Sequence, residues 1–173
     1  MATFLERFDI VEGFPAVDLS TGANTGDYVF CGHALRVVIK FVSGIGTAGD
    51  DPTLTVQQAT SNAGGGVKAL NVPSTASLKT WKKQAATSLA GTPQWSDASG
   101  DASTNTLTNA TAAEQALIWT VEIVPIEDMD VANGFDYLRA TVADVGANAQ
   151  PGYLSYIVEK AYPTQPSAQP SNL

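Results

Sequence analysis

The most regular feature of the chain is alternation. Leu35, Val37, Ile39 and Phe41 fall on one side of a segment whose other side carries Arg36, Val38, Lys40 and Val42. Successive side chains of an extended strand point to opposite faces, so this period of two predicts a strand with one buried face. Residues 44–52 are rich in Gly, Asp and Pro, and a turn there leads into a second strand at Thr53-Leu54-Thr55-Val56-Gln57-Gln58. Beyond a loop at Gly64-Gly65-Gly66, residues 78–84 alternate again, with Trp81 expected to point inward and its lysine neighbours to stay in water. Leu117, Trp119, Val121 and Ile123 mark the most apolar strand, which Pro125 ends. Residues 135–142 and 153–158 supply two more, separated by a loop at 146–152. Asn133-Gly134 is the strongest short turn signal.

Elsewhere the pattern is less regular. Phe4, Leu5, Phe8, Ile10, Val11, Phe14, Val17 and Leu19 are spaced for neither a clean helix nor a single strand, and Gly13-Phe14-Pro15 interrupts both. Residues 1–20 are therefore read as an extended arm whose apolar side chains are buried against the body or a partner, the alternative being the first strand of the fold. Residues 85–110 read as a surface excursion with short strands, anchored by Trp95. Thr111-Ala112-Ala113-Glu114 has capping-box spacing and predicts a single helical turn, and Glu127-Asp128-Met129-Asp130 a polar turn. From Tyr162 onward, Pro163, Pro166 and Pro170 predict an extended tail over 162–173. The body at 21–161 is then all-β: a two-sheet antiparallel sandwich, jelly-roll or a related Greek key, with no repeat to suggest a solenoid or propeller.

Composition narrows the possible partners. The 173 residues are 44% hydrophobic and 15% charged, enough apolar material for a core. A net charge of -8 opposes phosphate-backbone binding, so no nucleic-acid partner is expected. A single cysteine, Cys31, leaves stability to packing or assembly. The first residues mix acidic and basic groups without an apolar run, and no stretch approaches about 18 apolar residues, so neither a signal peptide nor a membrane span is expected. These features suit a protein made in a cytoplasm.

Catalytic and metal chemistry find little to work with. Cys31 and His33 form a Cys-x-His pair without further Cys or His, so a zinc site of that kind is not expected. A Ser-His-Asp triad would have to use His33 and lacks a nucleophile elbow. Residues 64–69 lack the Gly-Lys-Ser/Thr ending of a phosphate loop. Asp50 with Asp51, and Glu127 with Asp128 and Asp130, match no EF-hand spacing and read as solvated turns. Asn109-Ala110-Thr111 is a sequon that, with no export signal, reads as a chance match. Trp81, Trp95 and Trp119 with Tyr137, Tyr153 and Tyr156 are candidates for an aromatic platform, although the setting of Trp119 marks it as core. No catalytic residue, metal or cofactor is expected.

Three stretches, residues 4–13 (FLERFDIVEG), 46–60 (GTAGDDPTLTVQQAT) and 139–150 (RATVADVGANAQ), carry a resemblance to small tailed-phage virion proteins, the capsid cement or decoration proteins. The similarity runs through most of the chain and is weakest at 85–105 and in the tail. It implies a non-enzymatic protein on the outer surface of the virion, assembled in the host cytoplasm. Its partner would be an expanded shell of an HK97-type major capsid protein, bound as a homo-oligomer, often a trimer. The arm and the tail would then reach onto neighbours, through Phe4, Leu5, Phe8, Ile10, Val11 and Phe14 at one end and Tyr162, Pro163 and Pro166 at the other. A tail or neck structural protein, or a virion carbohydrate-binding module with exposed aromatics, are the alternatives.

Overall fold

The structure is a computed structural model that describes residues 3–71, 78–90, 93–99, 102–103, 105–109 and 116–161. The alternating segments become strands: β1 (Phe8–Asp18), β2 (Asn24–Thr25), β3 (Val29–Phe30), β4 (Ala34–Ser43), β5 (Thr53–Ala59), β6 (Lys68–Ala69), β7 (Lys79–Ala85), β8 (Ser96–Asp97), β9 (Thr106–Thr108), β10 (Ala116–Ile123), β11 (Tyr137–Val142) and β12 (Pro151–Lys160). Two four-residue helices, α1 (Phe4–Arg7) and α2 (Pro125–Asp128), are the only α-helices among the described residues.

The strands form two antiparallel sheets. One runs β1-β12-β4-β10-β7-β8; the other runs β2-β11-β5-β6, with β3 also on β11 and β9 also on β5. The pairing is nested, because β1 pairs with β12, β3 with β11, β4 with β10 and β5 with β9. A long antiparallel ribbon rolled up on itself gives this order, which is a jelly roll. Strands β6, β7 and β8 are an insertion between the innermost pair, and β7 and β8 extend the first sheet beyond β10.

The core lies between the sheets and is filled by one parity of each strand. Val37, Ile39 and Phe41 of β4 and Leu117, Trp119, Val121 and Ile123 of β10 are fully buried, as are Leu54 and Val56 of β5 and Leu138, Ala140 and Val142 of β11. The rings of Phe41 and Trp119 meet at 5.8 Å. Burying each such large side chain contributes roughly 1.5–3 kcal/mol.

One buried polar contact ties the sheets together. Ala140 pairs with Val56 on one side, but on the other side the chain breaks between β2 and β3. At that break Gly26 N–H donates to Ala140 O at 2.9 Å and Asp27 N–H to Gly13 O at 3.0 Å. The Ala140 N–H is taken instead by the Tyr156 hydroxyl, reaching across from β12 in the other sheet, at 2.9 Å. Burial pushes the Tyr156 hydroxyl pKa up, so it stays protonated. Gly26 is required here, since a Cβ would lie 2.7 Å from both Ala140 O and Tyr156 Oη.

Several expectations are corrected. Of the two readings of the N-terminal segment, the first strand of the fold replaces the extended arm: residues 8–18 are the edge strand β1, paired with β12. The irregular spacing that hid this strand is a bulge, with register shifts between Glu12 and Phe14 and between Phe14 and Val17, which turns both Gly13 and Phe14 into the core. Trp81 points outward and is 51% exposed, because Thr80 of β7 and Leu78 just before it take the inner face. Trp95 does not anchor the 85–110 excursion; it is 47% exposed, and among the described residues there Ala98, Leu107 and Asn109 are buried. The acidic turn after β10 is the short helix α2, with Pro125 in its first turn and the Asp128 carboxylate accepting the Val124 N–H at 2.8 Å. The capping box at 111–114 and the tail at 162–173 lie outside the described residues.

Replacing Tyr156 by Phe keeps the ring and removes the acceptor, leaving the Ala140 N–H buried and unpaired. It is expected to destabilise the fold by about 1–3 kcal/mol, read as a lower denaturant midpoint at unchanged m value. Acid should act on the turns. Asp18, bonded by Ser20 N–H and Gln150 N–H, and Asp130, bonded by Lys68 and Asn133, are held below the ordinary aspartate range. A lowered folded-state pKa adds stability above the unfolded value and loses it as pH falls through the folded one. The melting temperature is therefore expected to be insensitive to these groups from neutral to about pH 4 and to fall below it, less steeply for Asp18→Asn.

Candidate partner-binding surface

The outer face of the sheet β1-β12-β4-β10-β7-β8 is where the other parity of each strand emerges, and at the β1 end it is apolar. In register across the sheet, Ile10 lies opposite Ile157 and Ile157 opposite Val38. One step along, Phe8 lies opposite Glu159 and Glu159 opposite Arg36. Ile10 is 57% exposed, and α1 adds Phe4 and Leu5 at 55% and 51%. The Phe4 and Phe8 rings stack at 4.8 Å with 24° between their planes. Side chains this large left in water on one contiguous edge form the kind of apolar patch that marks an interaction surface.

The short helix that carries half of this patch is held down by charge. Glu159, on β12 and largely buried, accepts from Arg36 Nε at 3.1 Å and Nη2 at 2.8 Å, and from Arg7 Nη2 at 3.1 Å. Arg36 also reaches Glu122 at 3.3 Å. Lys160 Nζ donates to Leu5 O at 3.0 Å, a second tie between α1 and β12. The Glu6 carboxylate accepts the Thr3 N–H and closes the first turn.

Beside the patch, the β1 bulge opens a hollow of about 430 Å³ against β12. Ile10, Pro15 and Tyr153 contribute apolar walls, and Glu12 and Lys40 polar ones. The Lys40 ammonium sits 5.8 Å from the centre of the Tyr153 ring.

Of the residues expected to contact a partner, Phe4, Leu5, Phe8 and Ile10 come together on this surface. Val11 and Phe14 do not belong with them. Val11 packs against the core and Phe14 is only 6% exposed within it. Val11, opposite Tyr156, faces inward by the regular alternation of β1, and the bulge after Glu12 turns Phe14 inward as well. Tyr162, Pro163 and Pro166 lie outside the described residues; the preceding Ala161 N–H donates to His33 O at 3.1 Å, so the chain leaves β12 beside the start of β4. Ile157 and Val38, which lie in register with Ile10, were not singled out, although their signal is present: apolar residues at positions that alternation assigns to water; Tyr153 was singled out only as a platform candidate.

The chemical candidates disperse. Cys31 is buried, its Sγ 3.3 Å from Val29 O, and burial pushes its thiol pKa up, whereas His33 is exposed with its ring 5.6 Å from that of Phe30. Gly64 and Gly66 occupy positive-φ turn positions, with Thr60 N–H donating to Gly65 O. Glu127 pairs with Lys79 at 3.8 Å and Asp130 with Lys68. Among the described residues, no group of three or more His, Cys, Asp and Glu side chains could hold a metal ion, and no helix is long and apolar enough to cross a membrane.

Compared with known proteins, the chain matches no protein-family model and no curated sequence.

Glu159→Gln keeps the side-chain volume but leaves Arg7 and Arg36 facing a neutral amide. It is expected to cost about 1–3 kcal/mol, as for hydrogen bonds to charged groups. Backbone amides of residues 4–8 should lose hydrogen-exchange protection more than those of β4 and β10.

Proposed function

We propose that this chain is a non-enzymatic virion structural protein that binds the outer surface of an expanded phage capsid and stabilises it. The observation that carries the reading is the exposed apolar edge of Phe4, Leu5, Phe8 and Ile10, continued by Ile157 and Val38, in a chain whose sequence resembles capsid cement proteins. A jelly roll is compatible with it, although that architecture hosts many functions and does not choose among them.

The surface suits the task in two ways. Apolar side chains held on a clamped helix and a paired strand need little ordering on docking, so more of their burial appears as affinity. A protein that binds only the assembled shell also lowers the free energy of that state by mass action, and oligomeric binding multiplies the effect through effective concentration. The partner is the HK97-type major capsid protein, and a trimer is the expected oligomer.

The test is occupancy of purified, expanded, empty shells by the purified chain. The pair of changes Leu5→Lys and Ile10→Lys sits on exposed side chains and is expected to shift stability by no more than about 0.5 kcal/mol each, while abolishing sedimentation with shells. Removal of residues 1–14 would be a poorer test, since it takes away half of β1 and uncovers β12. Undiminished occupancy of the double variant would refute the reading. Mass spectrometry of virions should find copy numbers comparable to those of the major capsid protein; a few dozen copies would place the chain in the neck or tail.

A further inference from the structure

The opposite edge of the same sheet carries a second, chemically different surface. It lies four strand spacings from β1, about 19 Å, on the inserted strands β7 and β8. Trp81 stands opposite Thr120 on one side and Asp97 on the other. Beside it is a shallow hollow of about 340 Å³ whose lining includes Lys79, Trp81, Asp97, Ser99 and Glu122. We propose that this hollow binds a pyranose unit of a neutral polysaccharide. The inference stands apart from the capsid reading.

The argument begins with which aromatic rings are available. Trp119 is in the core against Phe41, and Tyr156 is the buried link between the sheets. Trp95 has the Lys83 ammonium 5.0 Å above its ring, and Tyr153 has Lys40 at 5.8 Å. Trp81 is half exposed, and among the described residues no ring or cation is stacked on it. A pyranose presents C–H bonds on its face and hydroxyls around its rim, so it matches a flat apolar ring bordered by polar groups.

The border is of that kind. Asp97 Oδ1 accepts the Ser99 N–H at 2.7 Å, which fixes the carboxylate and leaves Oδ2 to accept from a hydroxyl. The Ser99 hydroxyl can donate or accept, and Lys79 can donate. Glu122 is oriented by Arg36 at 3.3 Å through one oxygen. The in-register neighbours of Trp81 are thus Thr120 and Asp97 rather than the aliphatic residues that surround Ile10, which disfavours a second protein surface. The charged groups of the lining are Lys79, Asp97 and Glu122, with Lys79 also 3.8 Å from Glu127, so the hollow has no surplus of positive charge, which selects a neutral glycan over a sialylated or phosphorylated one.

The test is affinity electrophoresis of the purified chain through native gels containing dextran, mannan, laminarin or xyloglucan, with tryptophan emission followed in solution. At least one polymer is expected to retard the chain and to shift its emission to shorter wavelength as Trp81 leaves water. Trp81→Ala should raise the apparent Kd about tenfold or more, Trp81→Phe should retain part of the binding, and Trp95→Ala most of it. Equal melting temperatures would show that the variants fold. Retardation by none of the four polymers, or undiminished binding by Trp81→Ala, would overturn the proposal. So would loss of shell occupancy by Trp81→Ala without any polysaccharide binding by the parent chain, which would make the ring a protein contact.

Discussion

Two sheets that face each other through side chains alone can slide, and a jelly roll has few backbone bonds to prevent it. Here the Tyr156 hydroxyl crosses the sandwich and accepts the Ala140 N–H. The geometry of this contact depends on the break between β2 and β3, which deprives Ala140 of a strand partner on that side, and on Gly26, whose lack of a Cβ leaves room for the hydroxyl. A buried amide with no other partner makes the contact costly to lose and so defines one relative position of the sheets.

Strand β12 carries this constraint to the surface. It lies between β1 and β4, and its alternation sends Leu154, Tyr156 and Val158 into the core and Tyr153 and Ile157 outward. Glu159, on the outward side, draws Arg7 and Arg36 together and so seats α1 on the sheet. The apolar edge of Phe4, Leu5, Phe8 and Ile10 is therefore positioned by the same strand that holds the core, with no loop between them to add freedom.

The two ends of the outer face differ in character for a reason rooted in topology. The β1 end belongs to the rolled ribbon and is apolar. The β7–β8 end belongs to an insertion and surrounds one open indole ring with hydroxyl, carboxylate and ammonium groups. With such a division each edge can be altered without repacking the core.

The local pattern of the chain was sufficient to predict β4, β5, β10, β11 and β12 and the sandwich class, since a strand with one face in oil and one in water must alternate. Phe4, Leu5, Phe8 and Ile10 were also legible as a group of apolar residues outside any regular alternation, and they lie together at the β1 edge. What alternation could not supply was parity wherever both faces carry large side chains. In β1 Val11 faces inward by regular alternation, and the bulge at Gly13 changes the parity beyond it, so that Phe14 joins the core as well. In β7 both Thr80 and Trp81 fit a strand equally well, and only pairing with β10, whose Val121 lies opposite Thr80, decided that the smaller side chain is buried and the indole is left in water. Strand identity depends on the residues within a strand, but the face each residue occupies depends on register with neighbours distant in sequence, and that is settled only when the sheets close.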